Sequence, residues 1–213
     1  FNSEASFNKS AIITSFTFSK FGNILMGKNR QHGFQNWGLV NEYSSNSSSL
    51  YFESPSKNNN PNIQKNSEYS QIDFLQKIVF TLPKEKQLLI NLQFSNSSNI
   101  PRFDKLNEMT KNNLRFAEWN YGPQKRLLIS PQLKIFPNKK YLYKGTIIAA
   151  YQWVKESRIQ RRFESLDRIN QNENVNIFSL NADFEMPKTS KISIVYGFEF
   201  IGNKIKSDAF RER

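Results

Sequence analysis

Side chains able to do covalent or acid–base chemistry are few in this sequence, and they form no catalytic set. The single histidine, His32, lies in Lys28-Asn29-Arg30-Gln31-His32-Gly33, a loop-type stretch in which a solvated imidazole is the expected state. No cysteine is present, which removes thiol catalysis, thiolate zinc sites and disulfide frameworks. One histidine also leaves no two-histidine metal motif, so neither a metal site nor a cofactor is expected. Asp73, Asp183 and Glu185 fall on the polar side of alternating segments, with no partner at a spacing that acid–base work requires. GxxxxGK[ST], GxSxG and HExxH are all missing, and the eight glycines are scattered. No catalytic residue is assigned, and the chain is not read as an enzyme.

Binding chemistry is better represented. Lys and Arg total 30 against 18 Asp and Glu, a formal charge of +12, which points to an anionic neighbour: nucleic acid, lipid phosphates or an acidic ligand. Arg158, Arg161, Arg162 and Arg168 cluster with Lys155, and Lys125-Arg126 follows Trp119 and Tyr121 closely. Aromatics interleaved with cations are one signature of single-strand binding, but no RNP-like motif accompanies them, and a nucleic-acid partner is not expected. Arg102, Arg115, Trp119, Tyr121 and Arg158 are the candidate ligand-binding residues. Trp and Tyr offer large, fairly rigid contact area, and Arg offers forked donors to carboxylate or catecholate oxygens. Packing the loops together and binding lipid phosphates are the competing roles for the same residues.

The elements that must position them show period-two alternation. Phe16 and Phe18 alternate with Ser15, Thr17 and Ser19; Leu88, Ile90, Leu92 and Phe94 alternate with Asn91, Gln93 and Ser95. Phe178 to Met186 and Ile192 to Phe200 repeat the pattern, with Ser179, Asn181, Asp183 and Glu199 between. Each segment therefore has one apolar and one polar face. A soluble sandwich shows the same alternation, so periodicity leaves the two architectures open. Connection lengths separate them. Strands are expected near 1–7, 11–21, 68–82, 87–96, 126–136, 145–158, 174–186 and 191–205. The links 8–10, 83–86, 137–144 and 187–190 are short, and 22–67, 97–125 and 159–173 are long. Short and long links in strict alternation put every tight turn at one end and every long loop at the other, as in an outer-membrane barrel. Three short links begin with Pro, which cannot donate to a ladder. Pro131, inside a strand, is expected to cause a bulge or a disturbed hydrogen bond.

Aromatic placement agrees with that layout. Phe16, Phe18, Phe94, Tyr151, Trp153, Phe178, Phe198 and Phe200 fall toward the loop end, and Phe80, Phe136, Tyr141, Tyr143 and Phe184 toward the turn end. Two aromatic girdles around an aliphatic band are expected at membrane–water interfaces. No apolar run reaches the roughly 18 residues of a membrane helix. The loops are rich in Asn and Ser, and Asn46-Ser47-Ser48 fits the glycosylation sequon, a match too common to carry weight. Phe1-Asn2-Ser3-Glu4 lacks the features of a signal peptide, and both termini look cut, so the chain reads as an internal piece.

Several collinear stretches carry a family resemblance. They are Tyr69-Ser70-Gln71-Ile72-Asp73-Phe74-Leu75-Gln76-Lys77, then Leu92 to Asp104, then Phe116-Ala117-Glu118-Trp119-Asn120-Tyr121-Gly122-Pro123-Gln124-Lys125-Arg126-Leu127-Leu128. Ile147 to Gln152, Glu156-Ser157-Arg158, Arg161-Arg162-Phe163 and Tyr196-Gly197-Phe198-Glu199 continue the series. Together they resemble the early barrel strands of TonB-dependent outer-membrane receptors. The resemblance implies an all-β fold, an antiparallel up-and-down transmembrane β-barrel fragment: about eight strands of a barrel of about 22. Residues 1–213 would all belong to that barrel domain, truncated at both ends and located in the cell outer membrane. It implies a nutrient ligand of the siderophore, cobalamin or glycan class, outer-membrane lipid as a neighbour, and a plug domain, absent here, through which the TonB complex delivers energy. A soluble or surface β-sandwich binding module is the alternative. An enzymatic barrel ranks third, having no visible nucleophile–base pair.

Overall fold

Alternating apolar and polar residues fold this chain into one large antiparallel sheet whose long strands pair in chain order. The computed structural model describes residues 1–27, 29, 33–34, 36–45, 55–111, 113–188 and 192–213. His32, Asn46-Ser47-Ser48 and Lys191, the first residue of the eighth expected strand, lie outside the described residues. The strands are β1 (Asn2–Phe7), β2 (Ser10–Phe21), β3 (Ile24–Leu25), β4 (Glu42–Tyr43), β5 (Ser56–Lys57), β6 (Ile63–Gln64), β7 (Tyr69–Leu82) and β8 (Lys86–Ser97). They continue as β9 (Ile100–Pro101), β10 (Met109–Thr110), β11 (Asn113–Leu114), β12 (Phe116–Tyr121), β13 (Lys125–Ile135), β14 (Lys144–Arg162), β15 (Arg168–Glu185) and β16 (Val195–Glu212). One short helix, α1 (Phe103–Leu106), follows β9.

The long strands form a meander in the order β1-β2-β7-β8-β13-β14-β15-β16. Five of them, β1, β2, β7, β8 and β13, begin and end within a residue of the expected bounds, because each is set by a change from alternation to turn residues; β14 and β15 run longer at the loop end, and β16 covers Val195–Glu212 where 191–205 was expected. The sheet is open: β1 and β16 are its two edges and do not pair with each other. No closed barrel is formed by the described residues.

Cross-strand partners in an antiparallel sheet point to the same side, so the register sorts the side chains onto two faces. One row runs Phe16–Phe74–Phe94–Leu127–Trp153, and another runs Phe80–Leu88–Leu133–Ile147–Ala182–Phe198. These rows and those between them make one face apolar. Thr14 and Gln76 are polar exceptions on that face, and they satisfy one another: the Thr14 hydroxyl donates to Gln76 Oε1 at 2.8 Å. The opposite face carries Ser15, Thr17, Gln71, Asp73, Asn91, Gln93, Ser95, Arg126 and Gln152. There Gln71 donates to Asp73 at 2.9 Å, and Arg126 reaches Gln152 at 3.3 Å.

Nothing in the described structure covers the apolar face. Phe18, Phe178, Phe198 and Phe200 are 56 to 63% exposed. Of the buried apolar side chains, only Ala182 lies within the apolar band; Val40, Leu106, Leu114, Phe116, Ala117 and Ile159 all belong to the loop end. The buried polar residues Asn58, Gln64, Ser67, Asn120, Ser157 and Asn170 lie there too. The two long connections are thus folded caps. Gln64 donates to the Gly38 carbonyl at 2.5 Å, and Asn107 of the second connection donates to Gln64 Oε1 at 2.7 Å, tying the caps together.

Two expectations need correction, and a third holds in one of its two forms. Residues 159–173 are not a long loop: β14 and β15 stay paired as far as Arg161 and Arg168, and only residues 163–167 connect the two strands. Asn170, Asn172 and Asn174 alternating with Gln171 and Glu173 are as compatible with a ladder as with a loop, and a ladder beyond the apolar band needs no apolar pattern. Pro131, expected to cause a bulge or a disturbed hydrogen bond, does the second: pairing to β14 skips from Ile129–Tyr151 to Gln132–Ile148, and since three steps oppose three no bulge forms. Phe198, expected at the loop end, shares a row with Phe80 and Leu88 toward the turn end.

Candidate functional site

The second long connection extends the β8–β13 hairpin and carries most of the candidate residues. Tyr121 pairs with Arg158 and Lys125 with Lys155, so four steps on one strand oppose three on β14. This is a bulge, and Gly122-Pro123-Gln124 fills it. Gly122 has φ +120, and a Cβ there would lie 3.1 Å from the Ser98 carbonyl oxygen, so both backbone and space call for glycine. The Gly122 N–H donates to the Ser157 carbonyl at 2.9 Å, and the Ser157 hydroxyl donates back to the Gly122 carbonyl. On the other side, Gln124 N–H donates to Ser97 Oγ at 3.0 Å. The kink lets β12 continue the line of β13 along β14 while β9 pairs with its far edge through Asn120–Pro101 and Tyr121–Ile100.

Arg102, just past β9, lies over two rings: its guanidinium carbon is 4.9 Å from the Trp119 centroid and 6.0 Å from that of Tyr121. Its Nη1 also donates to the Tyr121 hydroxyl at 3.3 Å, and the two rings meet edge to face at 4.9 Å. Asp104 accepts from Arg102 Nε at 2.9 Å, and this hydrogen bond holds the guanidinium above its ordinary pKa. The Arg102 N–H donates to the Trp119 carbonyl at 2.9 Å, which fixes the segment to β12. Arg102, Trp119 and Tyr121 are therefore one stacked unit.

Arg158 adjoins that unit. It pairs with Tyr121 across the strands and lines a concavity of about 360 Å³ on the polar face with Tyr121, Gln124, Glu156, Gln171 and Glu173. A neighbouring concavity of about 450 Å³ runs down the same face between Gln71, Asp73, Gln93 and Arg126. Arg115 is elsewhere. It is ion-paired with Glu108 at the tip of the connection and lies over the Phe116 ring at 5.1 Å. Lys105 and then Arg115 pull the Glu108 carboxyl below its ordinary value. So four of the five candidates, Arg102, Trp119, Tyr121 and Arg158, come together, and Arg115 serves the fold of the cap.

Glu156, Gln171 and Glu173 were not legible as site residues, because only the register of β14 with β15 brings them beside Tyr121. Asp104, two residues after Arg102, was the one local signal of the ion pair. The lining mixes a guanidinium with carboxylates and amides. It can donate and accept hydrogen bonds and offer ring faces, and no nucleophile is paired with a base among the described residues. Among these residues no group of three or more His, Asp or Glu is arranged to hold a metal. No family model matches the chain, and no curated protein and no solved structure matches it either.

Proposed function

We propose that this chain forms part of the wall of an outer-membrane β-barrel receptor of the TonB-dependent type, which takes up a nutrient. The observation that carries the reading is the slant of the apolar band. The cross-strand row that starts at Phe18 on β2 runs Ile72–Asn96–Lys125–Lys155–Asn174 and ends at Lys206 on β16. The outer boundary of the band is Phe18 at the start of that row, but on β16 it has dropped to Phe200, six residues before Lys206. Six residues at about 3.4 Å against six strand spacings of about 4.8 Å is a slant of roughly 35°. The turn-end boundary slants the same way: Ser10 on β2 is already polar in the row that still holds Phe198 on β16.

A planar apolar slab crossing tilted strands produces this diagonal, and membrane barrel strands tilt by roughly 35–45°. Height agrees as well. From Ile72 to Leu82 the apolar side of β7 spans about 34 Å along the strand, or about 26 Å at a 40° tilt, close to the ~25 Å apolar band of such barrels. The sandwich alternative needs a second sheet about 10 Å above the apolar face, and the described strands supply a single layer.

In this reading lipid covers the apolar face, and the polar face looks into a lumen shared with a plug domain that TonB acts upon. The folded caps stand at the outer mouth. A nutrient with hydroxyl, amide or carboxylate groups docks against the Arg102–Trp119–Tyr121 stack and the adjoining Arg158 concavity. Release of the plug then lets it pass along the Gln, Asn and Ser lining. Two measurements test this. The intact protein should fractionate with the outer membrane and need detergent for extraction; a freely soluble monomer overturns the reading. Trp119→Ala should weaken nutrient binding by roughly tenfold or more at unchanged surface abundance, and unchanged binding of every candidate nutrient removes the site assignment.

A further inference from the structure

The basic residues divide by face once the register is known. Arg126 and Arg158 belong to the polar face, while Arg168, at the far end of β15, is neutralised by Glu118 at 2.9 Å and Glu212 at 2.9 Å. Four lysines are different. Lys125, Lys155 and Lys206 share the row Asn96–Lys125–Lys155–Asn174–Lys206 on the apolar side of the sheet. Lys204 lies one place nearer the band, opposite Asn176, which itself pairs with Trp153. Phe94, Leu127 and Trp153 form the adjacent aromatic and aliphatic row.

Lys125 and Lys155 emerge one same-face place beyond the outer boundary of the band at Leu127 and Trp153, and Lys204 and Lys206 stand two and three places beyond its boundary at Phe200. Lys125 and Lys155 are direct cross-strand partners, a juxtaposition of like charges that destabilises a sheet unless an anion lies between. The sequence neighbours Glu156 and Glu173 point to the opposite face, one residue out of step. Among the described residues, the ion pairs involve Arg102, Lys105, Arg115, Lys144, Arg168, Arg211 and Arg213, and none of these four lysines.

We infer that Lys125, Lys155, Lys204 and Lys206 form a docking site for the phosphate groups of membrane lipids in the leaflet at the loop end. The inference rests on the membrane-wall reading and adds to it a specific lipid contact. The alkyl stems of Lys125 and Lys155 start at the edge of the band, those of Lys204 and Lys206 reach back toward it, and the ammonium groups meet the headgroup phosphates, where each basic residue near an anionic surface adds attraction. Lys155 and Lys206 are two strands apart, about 10 Å, which is wider than one phosphate. The site therefore takes two phosphates, from one headgroup carrying both or from two adjacent lipids.

Trp153, in the row next to Lys155, reports on the site directly. The intact protein, with every tryptophan other than Trp153 replaced by Phe (Trp37 and Trp119 among them), is placed in bilayers containing brominated phosphatidylglycerol or brominated phosphatidylcholine at equal mole fraction. The expected result is quenching of Trp153 by both, with the anionic lipid acting as though enriched roughly fivefold or more at the contact, the factor for a single lysine at the surface. Lys125→Gln/Lys155→Gln/Lys204→Gln/Lys206→Gln should bring that ratio to about unity while leaving phosphatidylcholine quenching unchanged. If that variant does not insert, Lys204→Gln/Lys206→Gln on β16 alone should lower the ratio, and the fourfold Arg variant should keep it. Equal quenching by the two lipids in the parent, or selectivity that survives the Gln substitutions, overturns the lipid site and leaves the membrane wall intact. Quenching by neither lipid overturns both.

Discussion

Leu92→Arg and Gln93→Arg differ by one position and should differ sharply in effect. Leu92 sits on the apolar face between Gln76 and Ile129. The apolar stretch of β8 runs from Leu88 to Phe94, so Leu92 is one residue, about 3 Å, from its centre. An arginine near the midplane of a bilayer costs about 2–4 kcal/mol. Gln93 faces the other way, between Leu75 and Leu128, and lines the concavity of about 450 Å³. Its side chain makes a 3.4 Å approach to Asn91 Oδ1, too long to be strong, and the open space accepts a longer side chain. Gln93→Arg should cost less than about 1 kcal/mol. The gap of about 2 kcal/mol is roughly a thirtyfold difference in folding equilibrium. Urea titration of the intact protein in bilayers, followed by gel mobility of the folded form, measures it. Equal destabilisation by the two substitutions, or a larger effect at Gln93, would refute the face assignment and with it the membrane wall.

Three further outcomes follow from particular contacts. Thr14 and Gln76 satisfy each other on the apolar face, so a Thr14→Val/Gln76→Leu cycle in bilayers should show a coupling of about 0.6 kcal/mol, with the double variant at least as stable as the parent. A Cβ at Gly197 would collide with the Ala182 carbonyl oxygen, so Gly197→Ala should destabilise the β15–β16 pairing by about 1–3 kcal/mol, read as faster amide exchange along β16. Glu108 is held below its ordinary 4.5 by Lys105 and Arg115; its contribution to cap stability is thus complete above that value and is lost as pH falls through its lowered folded pKa. Carbon-13 titration of the Glu108 carboxyl should place its midpoint below 4.5, and a midpoint at or above that value would disprove the ion-pair geometry.

The eight long strands, their order and their two faces were legible in the sequence, because period-two alternation needs only neighbouring residues to be read. Leu88 to Phe94 announces a strand and its apolar side without knowledge of any partner. The tight turns were legible for the same local reason, with Pro83 and Pro137 ending strands cleanly. Register is different. It pairs residues far apart in sequence, and only pairing shows that Lys125 meets Lys155, that Glu156 and Glu173 line a hollow beside Tyr121, or that the apolar band crosses the strands on a slant. The true extent of β14 and β15 was hidden because their outer ladder lies beyond the apolar band, where Ser157, Ile159 and Asn170 are buried at the loop end, and needs no apolar alternation. The fate of Arg115 was hidden because its partner Glu108 is brought near by a small hairpin of β10 and β11. Local alternation determined which residues form strands and which way they face; the hydrogen-bonded register, a property of the folded sheet alone, decided which of them meet.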